Sequence, residues 1–115
     1  MSRKKLVDFA LKLLGVTYKY DGASSEGFDT NGFVIYCYKK SLGIDLPKST
    51  NGLLTGGTEV SRANLKLGDL VFISSIRVGI FIGNNKIIHG AFTTADVSKI
   101  SEIKSFYTAR RYIDK

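Results

Sequence analysis

The chain has 115 residues, the length of one domain and enough to bury a core without disulfide or metal staples. An apolar content of 43% with 23% charged residues excludes a disordered chain, and a single cysteine excludes an internal disulfide or a cysteine-rich metal site. Seventeen basic residues against ten acids give a formal charge of +7, which suits anionic partners or serves solubility alone.

The N-terminus carries Arg3-Lys4-Lys5 before an apolar stretch from Leu6 to Val16. Asp8 and Lys12 interrupt that stretch, so it is not read as a signal peptide. Leu6, Phe9, Ala10, Leu13 and Leu14 recur at helical spacing and predict an amphipathic helix over Ser2 to Leu14, ended by Gly15. No stretch reaches transmembrane length. A full-length chain of this kind is expected in the cytoplasm by default.

Val16 to Tyr20 reads as extended and Asp21 to Gly27 as a polar loop. A second helix is predicted from Asp29 or Thr30 to the residue before Gly43, with the Asp29 carboxylate placed to accept from an orphan backbone N–H. Phe33, Val34, Cys37 and Ser41 then share one face, which makes Cys37 a small core residue. Pro47 to Gly57 reads as a loop, with a short helical turn over Ser49 to Leu54.

From Thr58 onward the pattern changes to strands: Leu70 to Ile73, Val78 to Ile82, Lys86 to His89 and Phe106 to Ile113. Leu67-Gly68-Asp69 reads as the turn into the first of these. Helices first and strands later predict a single α+β domain over residues 1–115, with N-terminal helices packed on a C-terminal antiparallel sheet. No zinc-ligand spacing, helix-turn-helix or RNA-binding strand motif is present, so nucleic acid is not an expected partner. No metal or other cofactor is expected.

Three segments stand together: Gly27-Phe28-Asp29-Thr30-Asn31-Gly32, Gly68-Asp69-Leu70-Val71-Phe72, and Arg77-Val78-Gly79-Ile80-Phe81-Ile82-Gly83 followed by Ile87-Ile88-His89-Gly90. With Leu14-Gly15-Val16, Tyr18-Lys19-Tyr20-Asp21-Gly22 and Gly43-Ile44-Asp45-Leu46-Pro47-Lys48-Ser49-Thr50, the chain resembles the NlpC-type peptidases over nearly its whole length. These are papain-like cysteine hydrolases that include peptidoglycan endopeptidases. The resemblance implies a papain-like fold and a cleft with a nucleophile, a base and an orienting group. It carries the nucleophile position to Thr30, the base position to Arg77 and the orienting position to His89. Asp29 matches the residue before the nucleophile. Tyr18 and Tyr20 match cleft-lining positions, and Lys48, Ser49 and Thr50 match a loop flanking the cleft.

The chemistry departs from the pattern. A helix N-terminus and a nearby imidazole turn a thiol into a thiolate, but a threonine hydroxyl is a weak nucleophile that needs a base. Arginine stays protonated and cannot be that base. No catalytic residues are therefore expected. The resemblance implies instead a pseudoenzyme that holds an acidic peptide or peptidoglycan fragment through Tyr18, Asp29, Thr30, Arg77 and His89. For Arg77 the sequence also allows an ion pair with Asp29. Two other functions stand beside this one: a protein-interaction module that ignores the cleft, and a hydrolase using Thr30 with His89.

The family geometry needs Arg77 and His89 on one face of the sheet. A plain two-residue hairpin at Asn84-Asn85 pairs Gly83 with Lys86 and puts them on opposite faces. An odd-length loop or a bulge is therefore expected there, with an asparagine in the left-handed region.

Overall fold

The computed structural model describes residues 2–13, 31–75, 77–90 and 98–113. Helix α1 spans Ser2–Lys12, α2 Asn31–Leu42 and α3 Thr50–Thr55, and a single 3-10 turn covers Arg62–Asn64. The strands are β1 (Thr58–Glu59), β2 (Leu70–Ser74), β3 (Arg77–Gly83), β4 (Lys86–Gly90), β5 (Ser98–Glu102) and β6 (Thr108–Arg111). They form one antiparallel sheet in the order β1-β6-β2-β3-β4-β5. The α+β class read from the sequence is the observed one. Among the described residues no helix is long and apolar enough to cross a membrane.

Period-two alternation divides the sheet's side chains into two layers. Leu70, Phe72, Val78, Ile80 and Ile88 face the helices, where they meet Leu6 and Ala10 of α1 and Phe33, Val34, Cys37 and Tyr38 of α2. Val71, Ile87 and Ala109 point the other way and are covered by Val60, Ile103, Leu65 and Phe106 from the connecting segments. Helix α2 ends where expected, because Gly43 takes a left-handed φ of +70° that a Cβ would strain. Ser49 opens α3: its hydroxyl accepts from the Gly52 N–H at 3.0 Å.

The strands depart from the sequence reading in places. The strand expected over Phe106 to Ile113 is only Thr108–Arg111. Strand β5 escaped the sequence reading because Ser98-Lys99-Ile100-Ser101-Glu102 is mostly polar. It lies at the end of the sheet with β4 as its neighbour, and there pairing rather than apolar alternation makes the strand.

One buried carboxylate ties the chain ends together. Asp69 is 1% exposed and sits in the turn before β2. Its Oδ1 accepts from Arg3 Nη1 at 3.2 Å and Arg111 Nε at 3.0 Å. Its Oδ2 accepts from Arg111 Nη2 at 2.8 Å and the Lys66 N–H at 2.9 Å. Arg3 also donates to the carbonyls of Leu67 at 2.6 Å and Ile113 at 3.0 Å, so α1 is fastened to both the β2 turn and the chain after β6. Tyr38 reaches the same turn from α2, donating to the Gly68 carbonyl. Burial, and next the Asp69 charge, push the Tyr38 phenol above its ordinary range. Two of the basic residues counted toward an anionic partner, Arg3 and Arg111, are thus bound inside the fold.

Candidate functional site

Strands β3 and β4 carry the two described site positions. Their hairpin has a two-residue loop, Asn84-Asn85, with φ values of 53° and 59°. Gly83 pairs with Lys86, yet Phe81 pairs with Ile87, so Ile82 is the extra residue of a bulge in β3. Asparagine tolerates the left-handed region that this loop requires, and Gly83 supplies a further positive φ of 94° beside it. The expected bulge is present, with both asparagines left-handed.

The bulge has a consequence for the site. Ile80 pairs with Ile88, and one step further along the ladder Gly79 stands opposite His89. Arg77 lies two residues before Gly79, so the register assigns Arg77 and His89 to one face. Without the extra residue they would fall on opposite faces. Arg77 is exposed at the start of β3, whereas His89 is only 2% exposed in β4.

The His89 ring is held at both nitrogens. Nδ1 lies 2.7 Å from the Gly90 carbonyl oxygen and Nε2 lies 2.9 Å from Ser101 Oγ. A carbonyl only accepts, so Nδ1 carries the proton; in the neutral ring Nε2 then accepts from the Ser101 hydroxyl. Ser101 reaches it because Ile87 pairs with Ser101, which makes Ser101 the diagonal cross-strand neighbour of His89. The sequence reading missed Ser101 because it missed β5. Replacing Ser101 with alanine is expected to cost about 1 kcal/mol, the low end for a buried acceptor left unpaired, since the serine is half-buried and water can take its place. The His89 imidazole nitrogen shifts in an NMR spectrum check the cause: they should move in Ser101→Ala and return toward the native values in Ser101→Thr.

Cys37 lies in the interior of α2, fully buried between helix and sheet. Burial pushes its thiol well above the ordinary range, so the chain's one thiol is held protonated and out of reach. Ser41, one turn on, donates to the Cys37 carbonyl at 2.6 Å. Tyr18, Tyr20, Asp29 and Thr30 lie outside the described residues, as does any ion pair of Arg77 with Asp29. The described part of α2 begins at Asn31, the residue after Thr30. Of the loop matched to the cleft flank, Lys48 is exposed and Ser49 is engaged in capping α3.

Comparison with known proteins places this arrangement. The sequence profile of the NlpC/P60 family matches residues 15–115. The murein DD-endopeptidase MepS/murein LD-carboxypeptidase of Escherichia coli (strain K12) is 33% identical over 114 residues, covering 96% of this chain and 60% of that protein. This chain therefore spans about three fifths of that relative's length. Among solved structures, the NlpC/p60 domain of the peptidoglycan hydrolase SagA superposes with a TM-score of 0.77 at 28% identity, covering 95% of this chain and 97% of that one. RipD from Mycobacterium tuberculosis, described as a non-catalytic NlpC/p60 domain protein adapted to peptidoglycan binding, shares the fold at a TM-score of 0.77 and 19% identity, with 98% of each chain covered. With the matched profile, the identity over nearly all of this chain and the shared fold in agreement, the chain belongs to the NlpC/P60 family.

Proposed function

We propose that this chain binds a cell-wall peptide in the family's cleft and does not cleave it by the family's cysteine chemistry. The observation that carries the reading is the state of the chain's one cysteine: Cys37 is fully buried, with its thiol held protonated. Cysteine hydrolysis needs an accessible thiolate, and a thiol in an apolar core is inert. The resemblance gives the base position to Arg77, and an arginine side chain has no acceptor nitrogen to serve as a base. It is suited to a ligand carboxylate, which the guanidinium fork meets with two parallel hydrogen bonds. Both relatives named above as hydrolases act on murein or peptidoglycan, and RipD demonstrates that this fold accommodates a non-catalytic peptidoglycan-binding role. A Thr30–His89 hydrolase is less well supported, because each His89 ring nitrogen already has a partner within β4 and β5.

The test uses soluble peptidoglycan peptides with free carboxylates. Mass spectrometry of the incubated mixture should show them intact, while calorimetry registers binding. Arg77→Ala should weaken that binding by about tenfold to a hundredfold, the range for one lost charged hydrogen bond. The double variant Thr30→Cys/Arg77→His should gain cleavage of the same peptides if the cleft has lost only its reactive groups. Cleavage by the native chain, or affinity unchanged in Arg77→Ala, overturns the reading.

A further inference from the structure

A second surface lies at the other end of α2. An open groove between α1 and α2 is lined by Lys4, Lys5, Lys12 and Lys40, with Asp8 and Phe9 among them. Lys40 is ten residues along α2 from the position after which the helix opens, roughly 15 Å of helix axis from the Thr30 end. The groove is therefore separate from the cleft. Lys5, Phe9 and Lys12 follow one another at helical spacing on α1 and form one stripe. Across from them, Tyr36 of α2 packs on Phe9 with ring centroids 6.1 Å apart, and Lys40 Nζ stands 6.0 Å from the Tyr36 ring centre.

Helix dipoles account for two of the four lysines, because Lys12 and Lys40 stand in the last turns of α1 and α2, where a cation is favoured. The first turn of α1 holds Arg3, Lys4 and Lys5 and no acid, although the positive end of a helix dipole disfavours cations there. Arg3 is accounted for by Asp69. Lys4 pairs with Asp8 at 3.1 Å, but both side chains are half or more exposed, and such a pair contributes little. Lys5 and Lys12 have no ion pair among the described residues. Lys5 thus adds positive charge to the groove without stabilising its own helix and without an ion pair among the described residues.

We propose that this groove docks an acidic polypeptide segment that carries apolar side chains between its carboxylates. The lysines match the carboxylates as point charges. Phe9 lines the groove and gives it an apolar spot that an inorganic polyphosphate has nothing to fill. Asp8, among the lysines, opposes an unbroken row of negative charge but fits between spaced carboxylates. The inference does not rest on the cleft, since its residues and those of the cleft are different.

The probe is a fluorescein-labelled twelve-residue peptide of repeated Glu-Glu-Phe, titrated with the full chain and followed by anisotropy and by amide NMR shifts. Saturable binding that weakens as salt rises is expected, with shift changes confined to α1 and the C-terminal half of α2. Lys5→Glu should weaken it at least tenfold while raising the melting temperature, because an acid in the first turn suits the helix dipole. Lys5→Glu/Lys40→Gln should abolish it. Arg77→Ala should leave it unchanged, which separates failure here from failure of the cleft reading. Absence of saturable binding, shifts mapped elsewhere, or affinity unchanged in Lys5→Glu overturns the proposal. Tighter binding of inorganic polyphosphate in the same groove overturns the peptide as its occupant.

Discussion

Replacing Asp69 with alanine is expected to lower the free energy of unfolding by about 3 kcal/mol or more, the scale for removing one partner from a buried ion pair. Asp69 is almost fully buried and accepts from two guanidinium groups and one backbone N–H. Its removal strands Arg3 and Arg111, whose side chains are only 15% and 23% exposed. Their remaining bonds to the carbonyls of Leu67, Ile113 and Asn64 do not neutralise the charge. Asp69→Asn should cost less, because the amide retains the shape and an acceptor oxygen but offers the guanidinium groups no charge. Urea titrations followed by circular dichroism measure both. The distribution of the loss is part of the prediction: amide exchange should rise first in α1 and β6, the elements that Asp69 joins. An Asp69→Ala midpoint equal to that of the native chain would mean that the pairing contributes nothing net.

Gly79→Val is expected to destabilise by about 3 kcal/mol, the upper end of the usual range for an overpacked core. This glycine is required by space rather than by an unusual φ. A Cβ built on it would lie 2.8 Å from Ile87 Cδ1, 3.0 Å from the Ile88 carbonyl oxygen and 3.1 Å from Ile87 Cβ. The first contact is the end of a flexible side chain and can turn aside. The other two involve β4's own backbone and its first side-chain carbon, so β4 must move away from β3. His89 stands opposite Gly79 in the register, and that movement displaces it. The same substitution should therefore shift the His89 imidazole resonances and weaken the peptide binding proposed for Arg77. Native stability with unmoved His89 signals would contradict the packing argument. Loss of stability with unmoved signals would separate the core from the site.

Much of the frame was legible in the sequence because it is written locally. The body of α2 and its end at Leu42 follow from an apolar face at helical spacing and from Gly43, and each signal acts within a few residues. The bulge in the β3–β4 hairpin was legible once two residues had to share a face, because a period of two allows no other correction for a two-residue loop. The core role of Cys37 followed from its spacing to Phe33 and Val34. Motif order carried the family and, with it, the choice of Arg77 and His89 as positions to inspect.

The parts that only tertiary structure decided are those made between distant segments. Nothing local in Ser98-Lys99-Ile100-Ser101-Glu102 requires a strand; β4 requires it, and the pairing brings Ser101 to His89 and fixes which ring nitrogen carries the proton. In the sequence Arg3 and Arg111 are only part of the basic surplus, because their partner is 66 residues away from one and 42 from the other. Composition counts charges without placing them. Folding buries Asp69, and a buried carboxylate gathers the cations within reach, whereas Lys5, Lys12 and Lys40 remain outside on α1 and α2. The sequence determined which elements form and to which family they belong; burial and long-range pairing decided which charges hold the fold together and which stay on the surface.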